Sequence, residues 1–206
     1  MSIYEYLVKE YGYNKPILTK NLNIPGVSYD NIRKQLSRLY QSGKIEKYAQ
    51  GIYYIPTTDF LGKSQLSIID VLYSKYIANG DSIYGYFSGL SFYNLIGIST
   101  QIPFVYEITT NKEKSRVREI EIDCQTVILK KPFLPITKDN YLELQFLDFI
   151  NGISKGDLTR NRDLIISYVK EKKLKDEIIL DAIKYYPSKT SKKLLESGVY
   201  HEFIRK

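Results

Sequence analysis

Tryptophan is absent from the 206 residues, and cysteine, histidine and methionine occur once each. A single cysteine, Cys124, excludes an internal disulfide and offers a metal no second thiolate. The single histidine, His201, leaves no second imidazole for a Ser/His/Asp or Cys/His arrangement, and a metal site would have to be built from carboxylates alone. Gly80 and Gly85 have the spacing of a phosphate-binding loop. Tyr86 and Phe87 follow, however, where a lysine and a Ser or Thr would have to hold phosphate and magnesium. No catalytic residue, cofactor or metal is therefore expected. Nowhere do 18 apolar residues run together, and the opening MSIYEYLVKEYGY lacks a basic region followed by an apolar core. The reading is a cytoplasmic protein with no membrane partner.

What is present is enough apolar content, 43%, to bury a core, and a formal charge of +7 that favours polyanionic partners. The charge is uneven: +3 over residues 1–60, −1 over 61–150 and +5 over 151–206. Tyrosine is abundant, at 20 residues, and is read as compositional bias rather than as a stacking platform.

The most ordered pattern lies between Asn14 and Pro56. Ile32, Leu36 and Leu39 fall at i, i+4 and i+7, an apolar stripe of a helix from Ser28 to Gln41 that Ser28 would cap. The opposite face carries Asp30, Lys34, Ser37, Arg38 and Gln41, flanked by Asn31 and Arg33. A short helix over Ile17 to Leu22 is predicted before it, and a hairpin from Lys44 to Ile55, reversing at Gln50-Gly51, after it. An initial helix holds Ile3, Leu7 and Tyr11. Helix, turn, helix and hairpin in that order predict a winged helix-turn-helix whose second helix enters the major groove of duplex DNA. The expected contacts are Ser28, Asn31, Arg33, Lys34, Ser37 and Arg38 from the helix, with Lys47 and Gln50 from the wing.

Pro56-Thr57-Thr58-Asp59 reads as a link, which divides the chain into a DNA-binding domain, 1–58, and an α+β effector domain, 59–206. A helical face from Leu66 to Ile77 precedes a strand from Ile83 to Phe87 and a helix that Ser88 would cap. Residues 104–110 and 117–129 predict strands of a small sheet, with a turn at Asn111 to Ser115. Helices follow around Phe146, around Tyr168, around Ile179 and at Leu194 and Leu195, the third and fourth separated by Pro187. Their polar sides are rich in lysine.

One catalytic alternative is a metal-dependent nuclease built on Glu107, Glu119, Glu121 and Asp123. It wants a lysine two residues beyond its second acid, and Ile122 is followed instead by Asp123 and Cys124. Alternation sets Glu119, Glu121 and Asp123 on the solvent face of one strand.

Two runs, GIYYIP at Gly51 to Pro56 and YGYFSGLSFYNLIGISTQIP at Tyr84 to Pro103, together resemble the AbiEi family of antitoxins from type IV toxin–antitoxin, or abortive-infection, modules. The resemblance spans most of residues 1–195 and is carried most specifically by Tyr84, Gly85, Tyr86, Ser88, Gly89, Thr100, Gln101 and Pro103. It implies an N-terminal winged helix that represses its own promoter. It also implies a second domain that counters a neighbouring nucleotidyltransferase toxin, by direct or indirect opposition. A second class stays open: a winged-helix regulator whose second domain senses a ligand or protein and has no toxin partner.

Overall fold

A computed structural model describes residues 2–101 and 103–201 of the chain; Ile102, inside the Thr-Gln-x-Pro element, lies outside the described residues. The architecture is mixed α+β, in two compact units, Met1–Lys75 and Tyr76–Lys206. The division falls after Lys75, not at the Pro56–Asp59 link.

In the first unit, helix α1 (Ile3–Tyr11) starts at a capping box: Ser2 Oγ accepts from the Glu5 N–H while Glu5 accepts from the Ser2 N–H at 2.8 Å. The predicted helix over Ile17 to Leu22 is instead strand β1 (Ile17–Leu18) followed by a single 3-10 turn, Thr19–Asn21. Five or six residues supply too few internal bonds to offset helix nucleation, whereas Ile17 and Leu18 each find a β partner. Helix α2 (Tyr29–Gln41) begins at Ser28, whose Oγ accepts from the Asn31 N–H. Strands β2 (Glu46–Ala49) and β3 (Ile52–Tyr54) form the hairpin, and the sheet order β1-β3-β2 places Ile17 opposite Tyr53. Leu7, Ile17, Leu22, Ile24, Ile32, Leu36, Ile45 and Ile55 are buried together as the core. Side chains from α1, β1, α2 and the segments flanking the hairpin thus share one cluster, which holds α2 in this unit.

A small hairpin, β4 (Thr58–Asp59) and β5 (Gly62–Lys63), follows. It is tied back to the same unit. Lys63 Nζ meets the Gly43 carbonyl at 3.2 Å and Glu46 at 2.5 Å, and Tyr54 Oη donates to the Ser64 carbonyl at 3.1 Å. Helix α3 (Ile68–Leu72) runs into a π-helical turn at Tyr73–Ile77.

The second unit opens with the paired β6 (Ala78–Asn79) and β7 (Ser82–Ile83), then β8 (Gly85–Ser88) and α4 (Gly89–Leu95). Ser88 is the N-cap residue of α4, but its hydroxyl makes no capping bond; it contacts Thr109 Oγ1 at 3.4 Å instead. Strands β9 (Val105–Thr110), β10 (Val117–Ile122) and β11 (Gln125–Lys130) complete a sheet of order β10-β11-β9-β8. The expected long strand over 117–129 is broken at Asp123-Cys124, both at positive φ (48° and 60°), so that β10 folds back on β11. β9 then pairs with β11 in parallel, Glu107 opposite Ile128 and Thr109 opposite Lys130.

Helices α5 (Tyr141–Gly152), α6 (Lys155–Arg160), α7 (Arg162–Lys172), α8 (Asp176–Ile183) and α9 (Ser188–Glu196) follow. They share one core with α4 and β8. At its centre Phe92 meets Phe149 and Tyr168 edge-to-face, with ring centroids 5.5 and 5.4 Å apart.

Gly85 explains why β8 can lie where it does. A Cβ there would sit 2.2 Å from the Tyr76 carbonyl oxygen and 2.9 Å from that of Thr109, so two backbone segments close on this residue from either side. Only glycine fits.

Candidate nucleic-acid interface and a second cleft

The first unit carries a groove of about 660 Å³ between α2 and the β2–β3 hairpin. Because Ile32 and Leu36 hold the inner face of α2, its outer positions are turned toward the hairpin, and Arg33, Lys34 and Ser37 line the groove. Lys47 and Gln50 line it from the hairpin, beside Tyr29, Asp30 and Tyr53. All five of the predicted contacts gathered there are exposed. Among the described residues no carboxylate pairs with Arg33, Lys34 or Lys47. Three further predicted contacts stand outside the groove walls: Ser28 is occupied as the cap of α2, while Asn31 and Arg38 are exposed on the same helix. Thr19 also lines the groove, and its buried hydroxyl has no hydrogen-bond partner among the described residues.

The second unit has a cleft of about 380 Å³ where the end of β8, the start of α4, β9, β11 and α5 meet. Alternation along β9 buries Ile108 on one face and sends Glu107 and Thr109 to the other. Lys130, from the neighbouring parallel strand, forms an ion pair with Glu107. Asp148 comes from α5, where it interrupts the apolar run Phe146 to Ile150. Its Oδ2 accepts from Tyr86 Oη at 2.8 Å and from Thr109 Oγ1 at 3.0 Å. Burial pushes the Asp148 carboxyl above the ordinary aspartate value, and the hydroxyls of Tyr86 and Thr109 and the charge of Lys130 only partly offset it. Tyr86 is fully buried next to that carboxylate, which drives its own pKa well up and keeps it a proton donor. Asn151 closes one side, its Oδ1 accepting from Thr190 Oγ1 at 3.0 Å, and Arg116, Lys131 and Phe133 stand exposed at the rim.

The motif residues of the second domain divide between this cleft and its supports. Ser88 and Gly89 line the cleft, and Tyr86 holds its carboxylate. Gly89 has φ +56°, and a Cβ on it would collide with the Glu107 carboxylate, so the turn from strand to helix brings backbone against that side chain. Gly85 and Tyr84 stand behind: the Tyr84 carbonyl accepts from the Asn111 N–H at 2.8 Å and from Thr110 Oγ1 at 3.1 Å. Gln101, Thr100 and Pro103 do not line the cleft. Gln101 instead fixes the loop after α4, its carbonyl accepting from Asn94 Nδ2 at 2.6 Å.

Glu119, Glu121 and Asp123 are exposed on β10 and its turn, and Glu119 stands two strands across the sheet from Glu107, with Ile128 between them. The lysine beside Glu107 is Lys130, supplied across parallel strands and therefore invisible to a search along one strand. Among the described residues no group of three or more His, Cys, Asp or Glu side chains is placed to hold a metal. No helix among them is long and apolar enough to cross a membrane.

Residues 17–177 match a family of unknown function, DUF6088. No curated protein matches the chain.

Proposed function

We propose that this chain, which belongs to the DUF6088 family, is a duplex-DNA-binding regulator of the antitoxin type, acting without catalysis. The carrying observation is the convergence of Arg33, Lys34 and Ser37 from one helix with Lys47 and Gln50 from a hairpin on a single groove, with its three cations unpaired by carboxylates among the described residues. Elements in the order α1, β1, short turn, α2, β2, β3, with sheet order β1-β3-β2, support a winged helix with α2 as the recognition helix. Lysine and arginine supply phosphate contacts there, and Arg33 and Gln50 have the donors and acceptors to read base edges. The DNA is the promoter of the chain's own operon.

The toxin-directed half of this reading belongs to the second unit. Its support is that three of the eight residues carrying the resemblance to AbiEi antitoxins serve one cleft: Ser88 and Gly89 line it, and Tyr86 holds its Asp148 carboxylate from the core. A regulator that senses a small ligand, with no toxin partner, is favoured by the same cleft; a nucleotidyltransferase reading frame beside the gene separates the two.

Fluorescence anisotropy with the upstream DNA across a salt series tests the DNA-binding half. Arg33→Ala or Lys34→Ala weakens binding by about 1–3 kcal/mol where the side chain reads a base, or lowers the salt slope by about one unit where it touches phosphate. Unchanged affinity and slope in both variants, or no binding of the upstream region by the unaltered chain, refutes the assignment. Co-expression with the neighbouring toxin tests the other half, with growth rescue expected.

A further inference from the structure

We propose that the cleft of the second unit binds a nucleoside phosphate, with the phosphate on Arg116 and Lys131 and the base directed toward Asp148 and Asn151. This inference stands on that cleft alone and is independent of DNA binding by the first unit.

The order of charges in the cleft selects the ligand. Lys130 and Glu107 satisfy each other, which leaves a ligand two exposed cations at the rim and the Asp148 carboxylate, held in place through Oδ2 by Tyr86 and Thr109. Neither Arg116 nor Lys131 has a side-chain ion-pair or hydrogen-bond partner among the described residues. A ligand that fits must therefore be anionic at one end and hydrogen-bond-donating at the other. Dicarboxylates fail because they place a second anion on Asp148, and polyamines fail because they place a cation on Arg116 and Lys131.

Nucleotides meet both demands: their phosphates suit a guanidinium and an ammonium, and ring N–H or amino groups donate to a carboxylate. Asn151, with Oδ1 already engaged by Thr190, offers its amide N–H groups to a base acceptor. Phe133 at the rim and Tyr93 also line the cleft and supply ring surface of the kind on which bases stack. The volume, about 380 Å³, lies within the range of small-molecule sites. Asp148 is half-buried beside Phe149, and Tyr86 and Thr109 hold its Oδ2, so a ligand meets a carboxylate that is already oriented.

Isothermal titration of the full chain with the four ribonucleoside mono- and triphosphates, with ribose 5-phosphate and inorganic phosphate as comparison probes, decides it. At least one nucleotide binds at micromolar concentration, and ribose 5-phosphate and phosphate bind at least tenfold more weakly. Arg116→Ala combined with Lys131→Ala weakens the nucleotide tenfold or more without lowering the melting temperature, because both side chains are exposed. Asp148→Asn, which keeps an acceptor for Tyr86 and Thr109, weakens it while the far-UV spectrum is unchanged. The proposal is overturned if no nucleotide binds at millimolar concentration, or if phosphate or ribose 5-phosphate binds as well as the best nucleotide. It is equally overturned if affinity falls in Arg33→Ala and not in the rim double variant, which moves the binding to the first unit.

Discussion

Replacing Gly85 by alanine tests whether β8 is held where the second unit needs it. The new Cβ would sit 2.2 Å from the Tyr76 carbonyl oxygen, 2.9 Å from the Thr109 oxygen and 3.1 Å from the Thr110 Cβ. An unstrained carbon–oxygen contact needs about 1 Å more than the shortest of these. Two of the three obstacles are backbone, so no rotamer change relieves them. β8 must then move away from β9, where Gly85 pairs with Thr110 and Tyr86 with Thr109. Overpacking costs about 1–3 kcal/mol, and a backbone obstacle puts this site near the upper end. The loss of chain freedom in the unfolded state returns about 0.4–1 kcal/mol, leaving a net destabilisation of about 2 kcal/mol. For a unit of this size that lowers the melting temperature by roughly 6–10 °C. Calorimetry, with hydrogen exchange of the β8 and β9 peptides, reads the effect and locates it. Gly97→Ala serves as the comparison: nothing lies within 4 Å of its Cβ, and only its positive φ, +77°, is costly, at about 1 kcal/mol. A Gly85→Ala protein that melts with wild type, or no lower than Gly97→Ala, refutes the packing argument.

Four further outcomes are expected. Glu113, buried between β9 and β10, accepts from the Lys114 and Ser115 N–H groups, both at 2.9 Å, and from Arg118 Nε at 2.7 Å; Glu113→Gln destabilises by about 1–2 kcal/mol in a urea titration. Burial pushes that carboxyl up, but these donors outweigh it and hold it below the ordinary value, so its contribution is present at neutral pH and fades as pH falls through the folded-state pKa, where the two proteins converge. Asp148→Asn raises the melting temperature at pH 7, because the raised folded-state pKa makes the ionised form a cost, and the gap closes as acidification protonates the wild-type carboxyl. Leu36→Ala, at a fully buried position, costs about 2–5 kcal/mol and removes promoter binding before it affects the second unit's melting. A fragment ending after Lys75 melts higher than one ending after Thr58, because only the longer one keeps Ser64 for Tyr54 and Lys63 for Glu46; equal melting temperatures sink this placement of the boundary.

Local signals in the sequence served well where they matched one dominant force. The stripe of Ile32 and Leu36 and the cap at Ser28 identify α2 to within a residue, because burial and capping act over a single turn. Within the hairpin predicted from Lys44 to Ile55, Ile45, Ile52 and Tyr54 are buried. Ile17 to Leu22 misled because its apolar pair suits a short strand as well as a helix, and only the partner β3 decides between them. Asp123-Cys124 hid a reversal for a different reason: the turn lacks glycine and asparagine, so Asp123 was its one compositional mark, inside a run of otherwise strand-like residues. The cleft was the least legible part. Glu107 and Lys130 meet through a parallel pairing, and Asp148 through a helix remote in sequence from both. One mark was available, an aspartate inside the apolar run of α5, whose burial without a nearby partner in sequence requires one in space.

The two grooves differ in a way that bears on what each can bind. In the groove of the first unit Arg33, Lys34 and Lys47 are exposed and, among the described residues, unpaired by carboxylates, so the groove's field is screened by salt and costs the fold little. Such a surface suits a partner with regularly repeated charge, whose affinity comes from counterion release and whose register comes from a few base contacts. In the second unit the polar groups are organised before any ligand arrives: Asp148 is fixed by Tyr86 and Thr109, and Glu107 is fixed by Lys130 and crowded by Gly89. That order costs stability, since a half-buried carboxylate is partly desolvated whether or not a ligand is present. A cost carried in the free state is recovered only through a ligand that meets prearranged groups, which favours a small, defined molecule over an extended polyanion. The same reasoning explains the glycines of the Tyr84 to Gly89 run: they let backbone close on the groups that must not move, and any side chain at Gly85 would loosen the site from behind.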